Sequence, residues 1–128
     1  MAGDDHARPL ILIVEDDPDL LTMLGRMLSD FADVELAEDG IAALEHIETG
    51  LVPDLVITDI MMPGVDGLTL AHKLKDEMRT ARIPIIMLTA KDRPADVVTG
   101  INAGARSYIT KPFKRDELVG KVKKALDL

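Results

Sequence analysis

Two apolar runs in this chain end in acids. Leu10-Ile11-Leu12-Ile13-Val14 leads into Glu15-Asp16-Asp17, and Leu55-Val56-Ile57-Thr58 leads into Asp59. If the runs are neighbouring parallel strands, three or four carboxylates share one small hollow. Ionised carboxylates about 5 Å apart, at an effective dielectric near 20, repel by roughly 3 kcal/mol per pair, or about two pKa units. A divalent cation is the usual relief. Mg²⁺, with its preference for few protein carboxylates and several retained waters, suits such a cluster. An ionised Asp59 there is also a nucleophile toward an activated phosphoryl group, giving an acyl phosphate. Two more polar groups fall where apolar runs stop. Thr89 closes Ile83-Pro84-Ile85-Ile86-Met87-Leu88-Thr89, and Lys111 follows Ser107-Tyr108-Ile109-Thr110. The threonine offers a hydroxyl donor to a phosphoryl oxygen, and the lysine a point positive charge. Ala90 is small enough to leave the path to Asp59 open.

Strands must present these groups, and the sequence supplies them in alternation with helices. Leu10 to Val14 is short, continuous and β-branched, as expected of a strand buried on both faces. Asp17-Pro18 then reads as an N-cap and a proline at the first helical position, ahead of Leu20, Leu21, Leu24, Met27 and Leu28 at helical spacing. Val34 to Ala37 is a short second strand. Asp39 caps a helix with Ile41, Leu44 and Ile47 on one face, and Gly50 ends it. The third strand lies within Leu51 to Thr58. A third helix spans Leu68 to Met78, with Leu70, Ala71 and Leu74 inward. Ile83 to Thr89 is the fourth strand. Asp92-Arg93-Pro94 opens a fourth helix that ends near Ala103-Gly104. Ser107 to Thr110 is the fifth strand, and Lys114 to Leu126 the last helix, with Leu118, Val122 and Leu126 in line. Five β-α units imply an α/β fold: a doubly wound, five-stranded parallel sheet whose strand carboxyl ends form the ligand crevice. Glu15, Asp16, Asp59, Thr89 and Lys111 all fall at those ends.

The chain has 128 residues, enough for one domain with one core. Residues 1–8 read as a disordered polar tail and 9–128 as the domain. With the fifth helix closing the chain, no second domain is expected. Aromatics are confined to Phe31, Tyr108 and Phe113, so the core is aliphatic. The absence of cysteine rules out disulfides, thiol catalysis and cysteine-ligated metal. A formal net charge of −8 opposes direct binding to nucleic acid or to an anionic membrane. No stretch reads as a membrane span or a signal peptide, and a cytoplasmic location is expected.

Taken together, Ile11 to Asp17, Asp54 to Asp59, Met62-Pro63-Gly64-Val65-Asp66-Gly67, Pro84 to Ala90, Gly104-Ala105 and Tyr108 to Phe113 resemble the receiver domain of two-component response regulators, in its single-domain chemotaxis type. The resemblance implies a flavodoxin-like (βα)5 receiver fold and a role in phosphorelay signalling. By it, Asp59 takes a phosphoryl group from the phosphohistidine of a sensor histidine kinase or a histidine phosphotransfer protein. Glu15, Asp16, Asp59 and the backbone carbonyl of Met61 hold Mg²⁺, and Lys111 contacts the phosphoryl oxygens. Thr89 moves toward the phosphoryl group and Tyr108 swings inward. The surface of the fourth helix, fifth strand and fifth helix then changes its affinity for a downstream protein. A cis Lys111-Pro112 peptide is implied too. So is tuning of acyl phosphate lifetime by Met61 and Lys91. Such a chain catalyses only its own phosphorylation and slow dephosphorylation, and is not otherwise an enzyme.

Two rival chemistries fit less well. An aspartate-nucleophile phosphatase of the haloacid dehalogenase kind wants a second Asp two residues after the nucleophile, where this chain has Met61. A flavodoxin-like cofactor binder wants hydroxyls and glycines after the first strand and aromatics to stack a flavin; here there are acids and almost no aromatics. Asp17 and Asp66 read as helix caps rather than ligands. His6, His46 and His72 share no spacing and read as solvated. The Met61-Met62 pair reads as loop packing. Lys114, Arg115, Lys121, Lys123 and Lys124 make the last helix basic, either as a solvated face or as a docking surface for an acidic partner.

Overall fold

The computed structural model describes residues 8–90 and 94–128. Five strands, β1 (Leu10–Val14), β2 (Asp33–Ala37), β3 (Leu55–Asp59), β4 (Ile85–Ala90) and β5 (Ser107–Lys111), alternate with five helices. The helices are α1 (Pro18–Leu28), α2 (Gly40–Glu48), α3 (Gly67–Asp76), α4 (Pro94–Asn102) and α5 (Arg115–Ala125). The strands form one parallel sheet in the order β2-β1-β3-β4-β5. This is the doubly wound architecture the alternation implies, with β1, β3 and β4 in the interior.

Successive side chains on a strand face opposite ways, so each apolar run feeds two cores. Leu12 and Val14 of β1, Val56 of β3, and Ile85 and Met87 of β4 pack with Ala43 and Ile47 of α2 and with Leu70, Ala71 and Leu74 of α3. The intervening Ile11, Ile13, Leu55, Ile57, Ile86 and Leu88, with Ile109 of β5, pack with Leu21, Leu24 and Leu28 of α1 and with Leu118 and Val122 of α5. Both cores are aliphatic, as the scarcity of aromatics requires.

Caps set the helix starts. Asp17 accepts from the amides of Asp19 and Leu20, Asp39 from Ala42, and Asp66 from Thr69. The expected caps at Asp17 and Asp66 are thus present. Helix α3 stops at Asp76, two residues short of the expected Met78. Glu77 is already extended there and Met78 is wholly exposed, so no apolar contact holds a further turn. Strand β4 begins at Ile85 rather than Ile83, because Pro84 has no N–H to give to a ladder. Arg8 ties the chain ahead of β1 to the α1–β2 turn through the carbonyls of Ser29 and Ala32 and an ion pair with Asp33. The rest of the expected tail, with His6, lies outside the described residues, as do Asp92 and Arg93 of the fourth helix start. The Lys111–Pro112 peptide is cis.

One glycine shapes the crevice directly. Gly67 opens α3 against the end of β3, and its amide donates to the Ile60 carbonyl at 3.0 Å. A Cβ at this position would fall against the Asp59 carbonyl oxygen, with the Ile60 Cα 3.0 Å away. Around Gly120, inside α5, a Cβ would meet nothing within 4 Å. Gly67→Ala is expected to destabilise by about 1–3 kcal/mol through overpacking, and Gly120→Ala to stabilise by roughly 0.5–1 kcal/mol through helix propensity. Paired urea titrations check both signs.

Candidate functional site

Register places the site. Val14 pairs with Thr58, so Glu15 and Asp59 emerge side by side from adjacent strands. The Glu15 amide donates to Ala37 and the Ile60 amide to Leu88, which carries the ladder one residue past each strand end and fixes where the acids point. Glu15, Asp16 and Asp59 each bring a carboxylate oxygen within 4.8 Å of the other two. Glu15 is 1% exposed, whereas Asp16 is open to solvent and Asp59 lies between. Asp17 turns away to cap α1, and its amide donates to Glu15 Oε2 at 3.1 Å.

Lys111 enters the same hollow from β5. Its Nζ donates to Asp59 Oδ2 at 2.6 Å and to Glu15 Oε1 at 3.0 Å. The Met61 amide donates to the other Asp59 oxygen, Oδ1, at 3.2 Å. The ammonium must cross the end of β4 to make these contacts. It does so beside Ala90, its register partner, whose side chain is a single methyl group.

Burial dominates the electrostatics. It pushes the Glu15 carboxyl up from its ordinary 4.5 to about 7; the hydrogen bonds from Lys111 and from the Asp17 amide oppose it, and the nearby Asp16 and Asp59 add to it. For Lys111, burial works against the charge, but the hydrogen bonds to Asp59 and Glu15 outweigh it and raise the ammonium above its usual value. The repulsion foreseen among the acids is therefore met partly by a lysine of the chain itself. An all-oxygen set with one buried and two accessible carboxylates suits a hard divalent cation such as Mg²⁺.

The remaining expected residues fall around this centre. Thr89 is 2% exposed at the end of β4, where its hydroxyl has only a long 3.5 Å approach to the Ala90 carbonyl. Tyr108 projects outward, 37% exposed, with the Lys121 ammonium 4.9 Å from its ring centroid. Met62 packs into the core, but Met61 is 55% exposed, so only half of that pair serves loop packing. Lys91 lies outside the described residues. His72 is exposed, and His46 is near the surface with Nδ1 3.7 Å from Glu35. Sequence reasoning assigned no role to Gly67 and did not foresee that Lys111 bridges Glu15 and Asp59. The Asp66-Gly67 pair carried a signal for the first, a cap followed by a residue without a side chain. The second needed the strand order.

A parallel (βα)5 sheet with acids at the carboxyl ends of β1 and β3 and a lysine at that of β5 defines the receiver class of domain. The chain belongs to that family: the model of the response regulator receiver domain matches residues 11–123. It is 40% identical over 119 residues to the DNA-binding dual master transcriptional regulator RpaA of Synechocystis, covering 92% of this chain and 49% of that protein. It spans about half the length of curated relatives it matches, 49% of RpaA and 52% of the DNA-binding response regulator MtrA of Mycolicibacterium smegmatis. Among solved structures it is similar to the receiver domain of a signal transduction histidine kinase from Syntrophus aciditrophicus, with TM-score 0.85, 37% identity, and 93% and 90% of the two chains covered. It is also similar to the receiver domain of the sensor histidine kinase PA1611 from Pseudomonas aeruginosa, which has magnesium coordinated in its active-site cleft (TM-score 0.85, 32% identity, 95% and 100% covered).

The Glu15 shift has a sign that can be measured. Its folded-state value lies above its unfolded one, so between pH 4.5 and about 7 the folded chain holds a proton that the unfolded chain has released. Metal-free stability is expected to fall across that window by up to about 3 kcal/mol. Glu15→Gln removes this component. Urea titrations of both proteins at pH 4.5 and pH 7.5 check it, and parallel pH profiles would contradict it.

Proposed function

We propose that this receiver domain is a phosphorylation switch with Asp59 as its acceptor. The observation that carries the reading is the Lys111–Asp59 contact of 2.6 Å within a cluster of three carboxylates. A free aspartate at a strand end has no use for a half-buried ammonium reaching over a neighbouring strand. An aspartate that is to bear a phosphoryl group has one, because the incoming oxygens need a fixed positive charge. In the proposed reaction an Asp59 carboxylate oxygen attacks phosphorus. The P–N bond to the donor histidine breaks, and the imidazole leaves with the bonding pair and takes up a proton. The Met61 amide orients the acceptor carboxylate through Oδ1. Glu15, Asp16, Asp59 and the Met61 carbonyl would hold Mg²⁺, which supplies positive charge against the anionic nucleophile and donor when bound.

Thr89 and Tyr108 carry the response in this reading. A phosphoryl group on Asp59 gives the Thr89 hydroxyl a charged acceptor in place of its 3.5 Å approach to Ala90. Hydrogen bonds to charged groups contribute about 1.5–3 kcal/mol, enough to shift a balance between two packings. Movement of Thr89 opens space on β4 for Tyr108, whose register partner there is Met87. The α4–β5–α5 surface then reads out the state to a downstream protein. The donor is a sensor histidine kinase or histidine phosphotransfer protein, and the setting is the cytoplasm. Turnover is confined to the domain's own phosphorylation and its slow reversal.

Incubation with acetyl phosphate and Mg²⁺ is expected to add one phosphoryl mass, labile to hydroxylamine, and Asp59→Asn to add none. Tyr108 is the only tyrosine and there is no tryptophan, so intrinsic emission reports on it alone. Emission should change in the phosphorylated sample. Release of phosphate over many turnovers, or phosphorylation of Asp59→Asn to the wild-type level, would sink the assignment. Lys111→Ala is expected to take the phosphoryl group more slowly than wild type and, once modified, to leave tyrosine emission unchanged.

A further inference from the structure

A recess lies at the amino end of β5, between that strand and the last turns of α5. It has a volume of about 500 Å³ and is lined by Arg106, Ser107, Lys121, Lys124, Ala125 and Asp127. Asp127 sets one negative charge against three positive ones. Among the described residues, none of the three cations is ion-paired to a carboxylate. On the other flank of α5 two cations are already engaged. Arg115 Nη2 donates to Asp30 at 2.9 Å, and Lys123 Nζ lies 5.0 Å from the Phe31 ring centroid. Those contacts hold α5 against the α1–β2 turn, which is where the chain enters the domain. Arg8 is bound there to the carbonyls of Ser29 and Ala32 and to the Asp33 carboxylate.

Ahead of Arg8 the sequence reads Met1-Ala2-Gly3-Asp4-Asp5-His6-Ala7, outside the described residues. We infer that Asp4 and Asp5 dock in this recess, so that the chain's own lead-in segment is its occupant. Charge favours the pairing. Two adjacent carboxylates meet three cations, while Arg8, the cation nearest to them in sequence, is already committed. In a chain of net charge −8, most of the remaining surface repels the same two acids. Reach agrees. In the sheet order, β5 is three strand spacings from β1, or about 14 Å. Asp5 and Asp4 stand three and four residues before Arg8, which is about 10 and 13 Å of extended chain. The long cationic stems cover the remainder. Ion pairs at exposed sites are individually weak. A tether this short holds the acids near the recess at an effective concentration of order millimolar, so the contact forms within one chain. A segment seated there also covers the amino end of the open β5 edge. It does so whether or not Asp59 carries a phosphoryl group, and the inference is independent of that assignment.

The chain has no cysteine, so Ala2→Cys accepts a single nitroxide label on the whole protein. Amide NMR peaks of Ser107 and Lys124 are expected to lose intensity more than twofold. Those of Asp33 and Asp54, beside the start of β1, should lose less. Reducing the nitroxide should restore every peak. Adding Asp4→Asn and Asp5→Asn, or raising the salt, should restore Ser107 and Lys124 selectively. So should Arg106→Glu with Lys124→Glu, two exposed positions, with circular dichroism unchanged. The Asp4→Asn, Asp5→Asn variant leaves every described residue intact and decides the matter by itself. Equal losses at Asp33 and Ser107, or losses that survive that variant, would overturn the inference. An isotope-labelled chain without nitroxide, mixed with a nitroxide-bearing chain without isotope, should show no loss. Loss at Ser107 in that mixture would make a second copy the occupant and overturn it as well.

Discussion

A single ammonium group holds the crevice together. Lys111 lies between Glu15 on β1 and Asp59 on β3, and it comes from β5, two strands beyond β3 in the sheet. The contact is possible because three things coincide. Strands β4 and β5 run two residues past the level of Asp59, the intervening strand ends in alanine, and the lysine stem is long enough to bury its methylenes on the way back. Take the lysine away and two carboxylates face one another with one of them out of reach of water. Take the acids away and the ammonium is half-buried with no partner. Each group is tolerable only because of the others, and that mutual dependence is why the cluster survives in a fold that otherwise buries aliphatic side chains.

The compensation is incomplete, and its incompleteness is informative. With Lys111 and the Asp17 amide both donating to it, the Glu15 carboxyl is still pushed up to about 7. A core selected for stability alone would replace a buried acid under that burden with an apolar residue. The remaining charge imbalance is what a divalent cation, and later a phosphoryl group, would act upon. Stability held back at the strand ends is thus consistent with a site prepared for ligands that come and go. The rest of the fold supplies the difference through two aliphatic cores that clamp the sheet from both sides.

Much of this was legible from residue order. Ile11, Ile13, Leu12 and Val14 are all apolar because β1 is buried on both faces, and that pattern needs no partner to be recognised. Asp17, Asp39 and Asp66 announced three helix starts through local chemistry, and all three cap as such residues do. The boundaries that shifted did so for equally local reasons, a proline before β4 and a solvated Met78 after α3. What the sequence could not show was who meets whom across the sheet. The Lys111 bridge depends on β5 lying beyond β4, and the Lys121–Tyr108 contact depends on how α5 returns along the edge of the sheet. Both join residues whose types were noticed separately. Neither has a signature in the spacing of one element.

Strand β5 carries both of these long-range contacts, and its position explains why. It is an edge strand, so one side of its backbone has no ladder partner. Lys121 covers part of that edge by donating to the Tyr108 carbonyl, and its position over the ring follows from the same approach. Toward the core, Ile109 is wholly buried and fixes the middle of the strand against α5. The two ends therefore have separate electrostatic duties on one rigid segment. The carboxyl end delivers a cation to the acids, and the amino end presents cations to solvent. A charge added at Asp59 competes for Lys111 directly. Between the two ends, Tyr108 lies one residue from the buried anchor Ile109 and holds the Lys121 contact at the edge.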